Sequence, residues 1–161
     1  MRKQPNRDTA IVAVDDDVEA LRTIETALRR RFGADYEIVA ETSPERALER
    51  CRKLRDSGVQ VAILLADQWL SGSTGIDFLE RAHSLCPAAM RGLLLAWGDR
   101  SATDQIIKAS ALGRLDNYLT KPWGERDERF HRDVSELLEE WARLNGPRFE
   151  AIKIVGEQWS E

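Results

Sequence analysis

The chain has 161 residues, 42% hydrophobic and 32% charged, enough for one globular domain of ordinary size with a substantial core. Its 28 acidic and 24 basic side chains leave a net charge of −4, which argues against nucleic acid as a direct partner. A basic, polar start and the interruption of the first apolar run by Asp15 exclude a signal peptide and a membrane span, and Cys51 and Cys86, without CxxC spacing, read as packed, reduced thiols of a cytoplasmic protein.

Ile11–Val14 is a short apolar strand that runs into Asp15-Asp16-Asp17. Val18, Leu21, Ile24, Leu28 and Phe32 then recur at helical spacing, with Gly33 as the stop at the C′ position. Tyr36–Ala40 alternates as a second strand. Ser43-Pro44 opens the next helix, with Ser at the cap and Pro at the first helical position; Ala47, Leu48, Cys51 and Leu54 form its apolar face, and Gly58 ends it. Val61–Ala66 is an unbroken apolar run ending in Asp67, the pattern of a central strand buried on both faces. Ser71–Gly75 is a turn, and the helix after it turns Ile76, Leu79, Ala82 and Cys86 inward before Pro87 stops it. Leu93–Ala96 is the fourth strand, closed by Trp97-Gly98-Asp99, and Ser101 or Asp99 caps a helix containing Ile106, Ile107 and Leu112. Asn117–Thr120 is a fifth strand running into Lys121-Pro122-Trp123. The last helix is the longest, with Phe130, Val134, Leu137, Leu138, Trp141 and Leu144 on one stripe. Strands alternating with helices predict an α/β, doubly wound (βα)5 flavodoxin-like fold: a five-stranded parallel sheet with helices on both faces. The basic runs around Arg29–Arg31 and Arg50–Arg55 are interleaved with acids and read as solvated helix faces.

The charged residues of interest all follow strands: Asp15 and Asp16 the first, Asp67 the third, Lys121 the fifth. A carboxylate inside a buried strand is costly, so Asp67 belongs at its carboxyl end, where open α/β sheets bind ligands. Three carboxylates on one crevice repel one another unless a cation intervenes, and an all-oxygen set suits Mg²⁺. A lysine beside them completes a site for a phosphoryl group. The competing reading, that Asp15–Asp17 merely begin a helix, is good for each residue singly and poor for four charged residues at strand ends together.

On Val14-Asp15-Asp16-Asp17, Leu65-Ala66-Asp67 with Gly72 and Gly75, and Tyr118-Leu119-Thr120-Lys121-Pro122, the chain resembles the receiver domains of two-component response regulators over roughly residues 8 to 145. The resemblance implies that Asp67 is the phosphoacceptor, that Asp15, Asp16, Asp67 and the carbonyl of Trp69 hold Mg²⁺, and that Lys121 pairs with the phosphoryl oxygens. It also implies a cis Lys121–Pro122 bond and Tyr118 as the switch aromatic. The partners it implies are a sensor histidine kinase and an output domain or protein, with a homodimer as a further option; the receiver assists its own phosphorylation without being an enzyme in its own right. The family places Ser or Thr at the end of strand four, where this chain has Leu95, so the usual hydrogen bond to the phosphoryl group has no donor. That departure supports an alternative, a receiver-fold interaction module with little phospho-switching.

A haloacid-dehalogenase-like phosphatase also places Asp-x-Asp after strand one, with Asp15 as nucleophile and Asp17 as acid/base, and Gly98-Asp99 with Asp104 imitates its later acidic motif; Asp67 and Lys121 are then unexplained. Trp69, Trp97 and Trp123 each follow a strand and are expected to narrow the crevice. His83 and His131 lack ligand spacing. Residues 146–161 form an extension, in which Phe149–Val155 reads as a strand. From Lys121 to Ser160 the chain is similar to receivers fused to a thioredoxin-reductase-like flavoprotein module, which implies that the natural protein continues.

Overall fold

Each of the five apolar runs forms a strand. The computed structural model describes residues 8–145. Its first half runs β1 (Thr9–Val14), α1 (Val18–Phe32), β2 (Glu37–Glu41), α2 (Pro44–Asp56) and β3 (Gln60–Asp67). A small antiparallel hairpin follows, β4 (Trp69–Leu70) and β5 (Ser73–Thr74), then α3 (Gly75–Leu85), β6 (Met90–Leu95), α4 (Thr103–Ala111), β7 (Asn117–Thr120) and α5 (Glu128–Asn145). The five main strands make one parallel sheet in the order β2-β1-β3-β6-β7. The chain steps outward from β1 to β2 and then returns to the other side of β1, so β1 and β3 flank the point where strand order reverses, and the crevice lies at their carboxyl ends.

Alternation along the central strands divides the core in two. Val12 and Val14 face a cluster closed by α2 and α3, while Ile11 and Ala13 face one closed by α1 and α5. β3 is buried along Val61–Asp67, as its unbroken apolar run implies. Its register against β1 slips by one residue: Ala10 pairs with Val61 but Ile11 with Ile63. That slip lets Ala62 and Ile63 both face the α1–α5 side.

The helix signals hold in part. Ser43 caps α2 through Oγ, which accepts from the Arg46 N–H at 3.3 Å, and Gly58 follows that helix with φ +79°. Gly33 does close α1, but in right-handed conformation (φ −65°), its N–H donating to the Arg29 carbonyl at 3.0 Å, so the left-handed C′ stop is corrected. Neither Ser101 nor Asp99 caps α4: its first turn has Ala102 at the cap and no side-chain hydrogen bond. Ile107, Leu112 and Leu144 are exposed rather than packed: α4 buries only Ala109, and the buried stripe of α5 ends at Trp141. Phe78, which the helical spacing passed over, is among the largest fully buried side chains. The Lys121–Pro122 bond is trans, since no peptide bond among the described residues is cis; trans is also the ordinary preference of an X–Pro bond. The expected strand Phe149–Val155 lies outside the described residues.

Candidate functional site

Register alone brings the first two acids together. Val14 pairs with Ala66, so Asp15 and Asp67 leave the sheet side by side from adjacent strands. Asp15 is fully buried and Asp67 is 9% exposed. Lys121 leaves β7 at the far side of β6, where its N–H donates to the Leu95 carbonyl at 2.8 Å. Its side chain crosses the end of β6 to place Nζ 2.7 Å from Asp15 Oδ2 and 3.0 Å from Asp67 Oδ1. Asp16 completes the group: one carboxylate oxygen from each of Asp15, Asp16 and Asp67 lies within 4.8 Å of the others.

Burial pushes the Asp67 carboxyl up; Lys121 draws it down through hydrogen bond and charge, Asp15 and Asp16 add repulsion, and the balance leaves it raised. Burial works against the Lys121 ammonium, but the hydrogen bonds and charges of Asp15 and Asp67 prevail and raise it. Asp15 Oδ1 accepts from the Asp17 N–H at 3.0 Å. Asp15 Oδ2 is buried, and the Lys121 ammonium at 2.7 Å is the one donor that reaches it among the described residues, so it keeps a second lone pair unpaired. A buried carboxylate oxygen with a spare lone pair in a three-acid cluster is the donor set a hard divalent cation fits.

Asp17 behaves differently from its two neighbours. Its Oδ1 accepts from the N–H groups of Glu19 and Ala20 at 3.0 and 3.2 Å, capping α1. Within one triplet, Asp17 begins the helix while Asp15 and Asp16 join Asp67 in the acidic cluster.

The hairpin after Asp67 fixes the rest of the rim. Gly72 turns it with φ +76°, and Ser71 Oγ at its tip donates to Asp16 Oδ2 at 2.8 Å. Gly75 passes so close to Asp67 that a Cβ would fall 2.2 Å from the Asp67 carbonyl oxygen, which is why a glycine stands there. Gln68, buried beside Asp67, accepts from the Ile76 N–H through Oε1 at 3.3 Å and braces the start of α3. The Trp69 indole N–H donates to Ser101 Oγ at 3.0 Å, and Ser101 Oγ donates to Asp99 Oδ1 at 2.6 Å. This relay joins the loop after β3 to the loop after β6, and the Ser101 bonds hold the Asp99 carboxyl below its usual range.

Sequence reasoning passed over Ser71, Gln68, the Ser101–Asp99 pair as a bridge, and Asp127. Asp127 is buried and accepts from the Phe130 and Trp123 N–H groups at 3.2 Å each, fixing the turn between Lys121 and α5. Only the Asp127 capping signal was readable, three residues ahead of an apolar stripe. The tryptophan expectation is corrected: Trp97 and Trp123 are 81% and 76% exposed, and Trp97 carries the Arg129 guanidinium 5.3 Å from its ring centre. Of the three, Trp69 alone is tied to the rim. Leu95 is half-buried against the α2–α3 cluster, and Tyr118 is 57% exposed, turned away from the core. His131 packs structurally, Nε2 lying 3.0 Å from the Ala27 carbonyl.

No family model matches the chain. Over 116 residues, 70% of the chain, it is 30% identical to the hydrogenase transcriptional regulatory protein HoxA of Bradyrhizobium diazoefficiens. The chain spans only about one-fifth of the length of the curated relatives it matches. Among solved structures, it superposes on a response regulator receiver domain protein (CheY-like) from Methanospirillum hungatei with TM-score 0.65 and 22% identity, covering 85% of this chain and 98% of that one. An adenylate cyclase structure from Rhodopirellula baltica matches with TM-score 0.70 and 19% identity, over 91% and 98% of the two chains. At these identities the likeness is one of fold, and the fold is the flavodoxin-like, five-stranded parallel sheet of the receiver-domain structures.

Proposed function

We propose that the chain is a phosphoacceptor receiver that takes a phosphoryl group onto Asp67 from a sensor histidine kinase in the cytoplasm and regulates an output partner or a further domain of the same protein. The observation that carries this reading is Lys121 Nζ lying between Asp15 and Asp67 at 2.7 and 3.0 Å, with Asp16 completing the acidic cluster. Asp67 is the nucleophile: it is the acid at the end of the central strand, and a carboxylate oxygen attacks phosphorus while the donor's leaving group departs with the bonding pair. Asp15, Asp16 and the Trp69 carbonyl are the remaining ligands that would hold Mg²⁺, whose charge, when bound, offsets the negative charge of the phosphoryl oxygens. Lys121 is already paired with Asp67 and is positioned to follow the new phosphoryl oxygens once the carboxylate is esterified. The buried Asp15 keeps that lysine aimed into the crevice.

Two observations bear on the other readings. Asp17 spends its carboxylate on the cap of α1, so it does not stand free as the acid/base that the phosphatase reading would require. Leu95, half-buried among apolar side chains, favours a receiver whose switching is weak. A small acyl phosphate donor with Mg²⁺, followed by borohydride trapping and mass spectrometry, should place one acid-labile group on Asp67, and Asp67→Asn should abolish it. Label on Asp15 would sink the receiver reading in favour of the phosphatase.

A further inference from the structure

Away from the acidic edge, the molecule has a concavity lined by the opposite charge. An open groove of about 940 Å³ lies where α1 ends and α5 begins. Arg30 and Arg31 line it from the last turn of α1, and Arg126 and Arg132 from around the start of α5. His131 holds the two helices in this arrangement, bonded to the Ala27 carbonyl and edge-on to Phe32 at 6.2 Å. Glu128 and Glu139 are the acids of the lining, so four guanidinium groups face two carboxylates.

These four arginines converge on one concavity in a chain of net charge −4. Among the described residues, eight arginines hold a carboxylate within salt-bridge distance; none of the four in the groove does, nor do Arg22, Arg46, Arg100 and Arg129, which do not line it. Helix electrostatics explain only half of them. Arg30 and Arg31 complement the negative end of α1, whereas Arg126 and Arg132 stand at the positive end of α5, where a cation is disfavoured. Converging unpaired cations on one concavity raise each other's energy, and an anion relieves it.

We propose that the α1–α5 groove binds a small anion carrying a chain of two or more phosphates, either a nucleoside polyphosphate or inorganic polyphosphate. The volume is that of a small-molecule site. Guanidinium forks match phosphate oxygens in pairs, and no aliphatic side chain lines the groove, so charge and not apolar contact selects the ligand. The net negative charge of the rest of the chain disfavours a long nucleic-acid strand. This site is independent of phosphoryl transfer to Asp67.

Calorimetric titration of the full chain at about 0.15 M salt with EDTA, where exposed charges are screened beyond about 8 Å, tests it with tripolyphosphate and ATP as probes. Tripolyphosphate should saturate a single site, and Arg31→Gln with Arg132→Gln should weaken it at least about tenfold. Arg31→Lys with Arg132→Lys, which keeps the charge and loses the fork, should fall between. Arg22→Gln with Arg46→Gln, removing the same charge elsewhere, should change it less than about twofold. ATP binding no tighter than tripolyphosphate assigns the site to the phosphate chain alone, tighter binding assigns it to a nucleotide, and either supports the proposal. No saturable binding of either probe, equal loss in the Arg22/Arg46 control, or tighter binding of an oligonucleotide or an acidic peptide would overturn it. All four groove positions are exposed, so a melting curve matching the unaltered chain confirms that each variant is folded.

Discussion

Asp15 shows how one residue sets the chemistry of its neighbours. It has no exposure, its carboxylate accepts one backbone hydrogen bond, and its one charged partner is the lysine that also serves Asp67. Replacing it with Ala would leave Lys121 with one buried partner and the cation with one ligand fewer, and so would act on both halves of the site. Trp69 offers a direct readout of the same crevice. Its carbonyl is the proposed fourth metal ligand and its indole is bonded to Ser101, so on the proposed reading a cation would be felt by this ring before the exposed Trp97 and Trp123. Titration with millimolar-scale Mg²⁺ should therefore change tryptophan emission, and Trp69→Phe should remove most of the change while Trp97→Phe and Trp123→Phe preserve it. An unchanged spectrum from a folded chain would mean that the acidic cluster does not take Mg²⁺. Ser101→Ala should cost no more than about 1 kcal/mol of stability, the ordinary worth of an exposed hydrogen bond, yet shift the Trp69 emission before any metal is added.

At the scale of elements, the close packing of the β3–α3 connection is the most exacting feature. A Cβ on Gly75 would meet the Asp67 carbonyl oxygen at 2.2 Å and Leu93 Cδ1 at 2.8 Å, so the backbone that carries Asp67 must move. A Cβ on Gly92 in β6 would meet only methyl ends, Leu65 Cδ2 at 2.8 Å and Leu119 Cδ1 at 3.0 Å, which can rotate. Gly75→Ala should then cost at least the 1–3 kcal/mol typical of overpacking, roughly, and slow labelling of Asp67; Gly92→Ala should cost less and leave labelling intact. Urea denaturation and the trapping experiment together decide this, and a Gly75→Ala chain of unaltered stability and labelling would contradict it. The same contrast explains what was legible in the sequence. Strands, their order in the chain and the acids at their ends follow from apolar runs broken by charge, because a buried strand cannot hold an unpaired carboxylate. Ser43-Pro44 and Gly58 carry their conformations in their own chemistry. The burial of Gln68, the Trp69–Ser101–Asp99 relay and the exposure of Ile107, Leu112 and Leu144 depend on what tertiary neighbours an element finds, which spacing along one helix does not contain. The arginines of α1 form the solvated helix face expected of them, but the groove they share could not be read from that helix, because its other arginines lie nearly a hundred residues later, at the start of α5.

For the whole molecule, the question is whether an event at Asp67 reaches the opposite edge of the sheet. β6 and β7 carry the path, since Leu95 ends one strand, Thr120 pairs with it, and Tyr118 lies two residues before on β7. In receivers of the family this chain resembles, a strand-four hydroxyl bonds the phosphoryl group, its loop moves inward, and the switch aromatic follows. Here Leu95 rests in the apolar cluster beside α2 and α3, and Tyr118 points outward. The Ser101 hydroxyl, on the loop after β6, is committed to Asp99 at 2.6 Å while accepting from Trp69, so it is not free to take the missing role. A ligand moves an equilibrium only by its differential affinity for the two states. Losing one charge-assisted hydrogen bond from the active state, about 1.5–3 kcal/mol, lowers the ratio of active to inactive molecules by roughly ten- to a hundredfold. A beryllofluoride phosphate mimic should therefore bind at Asp67 and leave Tyr118 largely outward, whereas in Leu95→Thr the same mimic should draw it in. The chemical shifts of the Tyr118 ring in the two proteins provide the measurement. A full inward shift in the unaltered chain, with nothing added by threonine, would show that the switch runs without a strand-four hydroxyl.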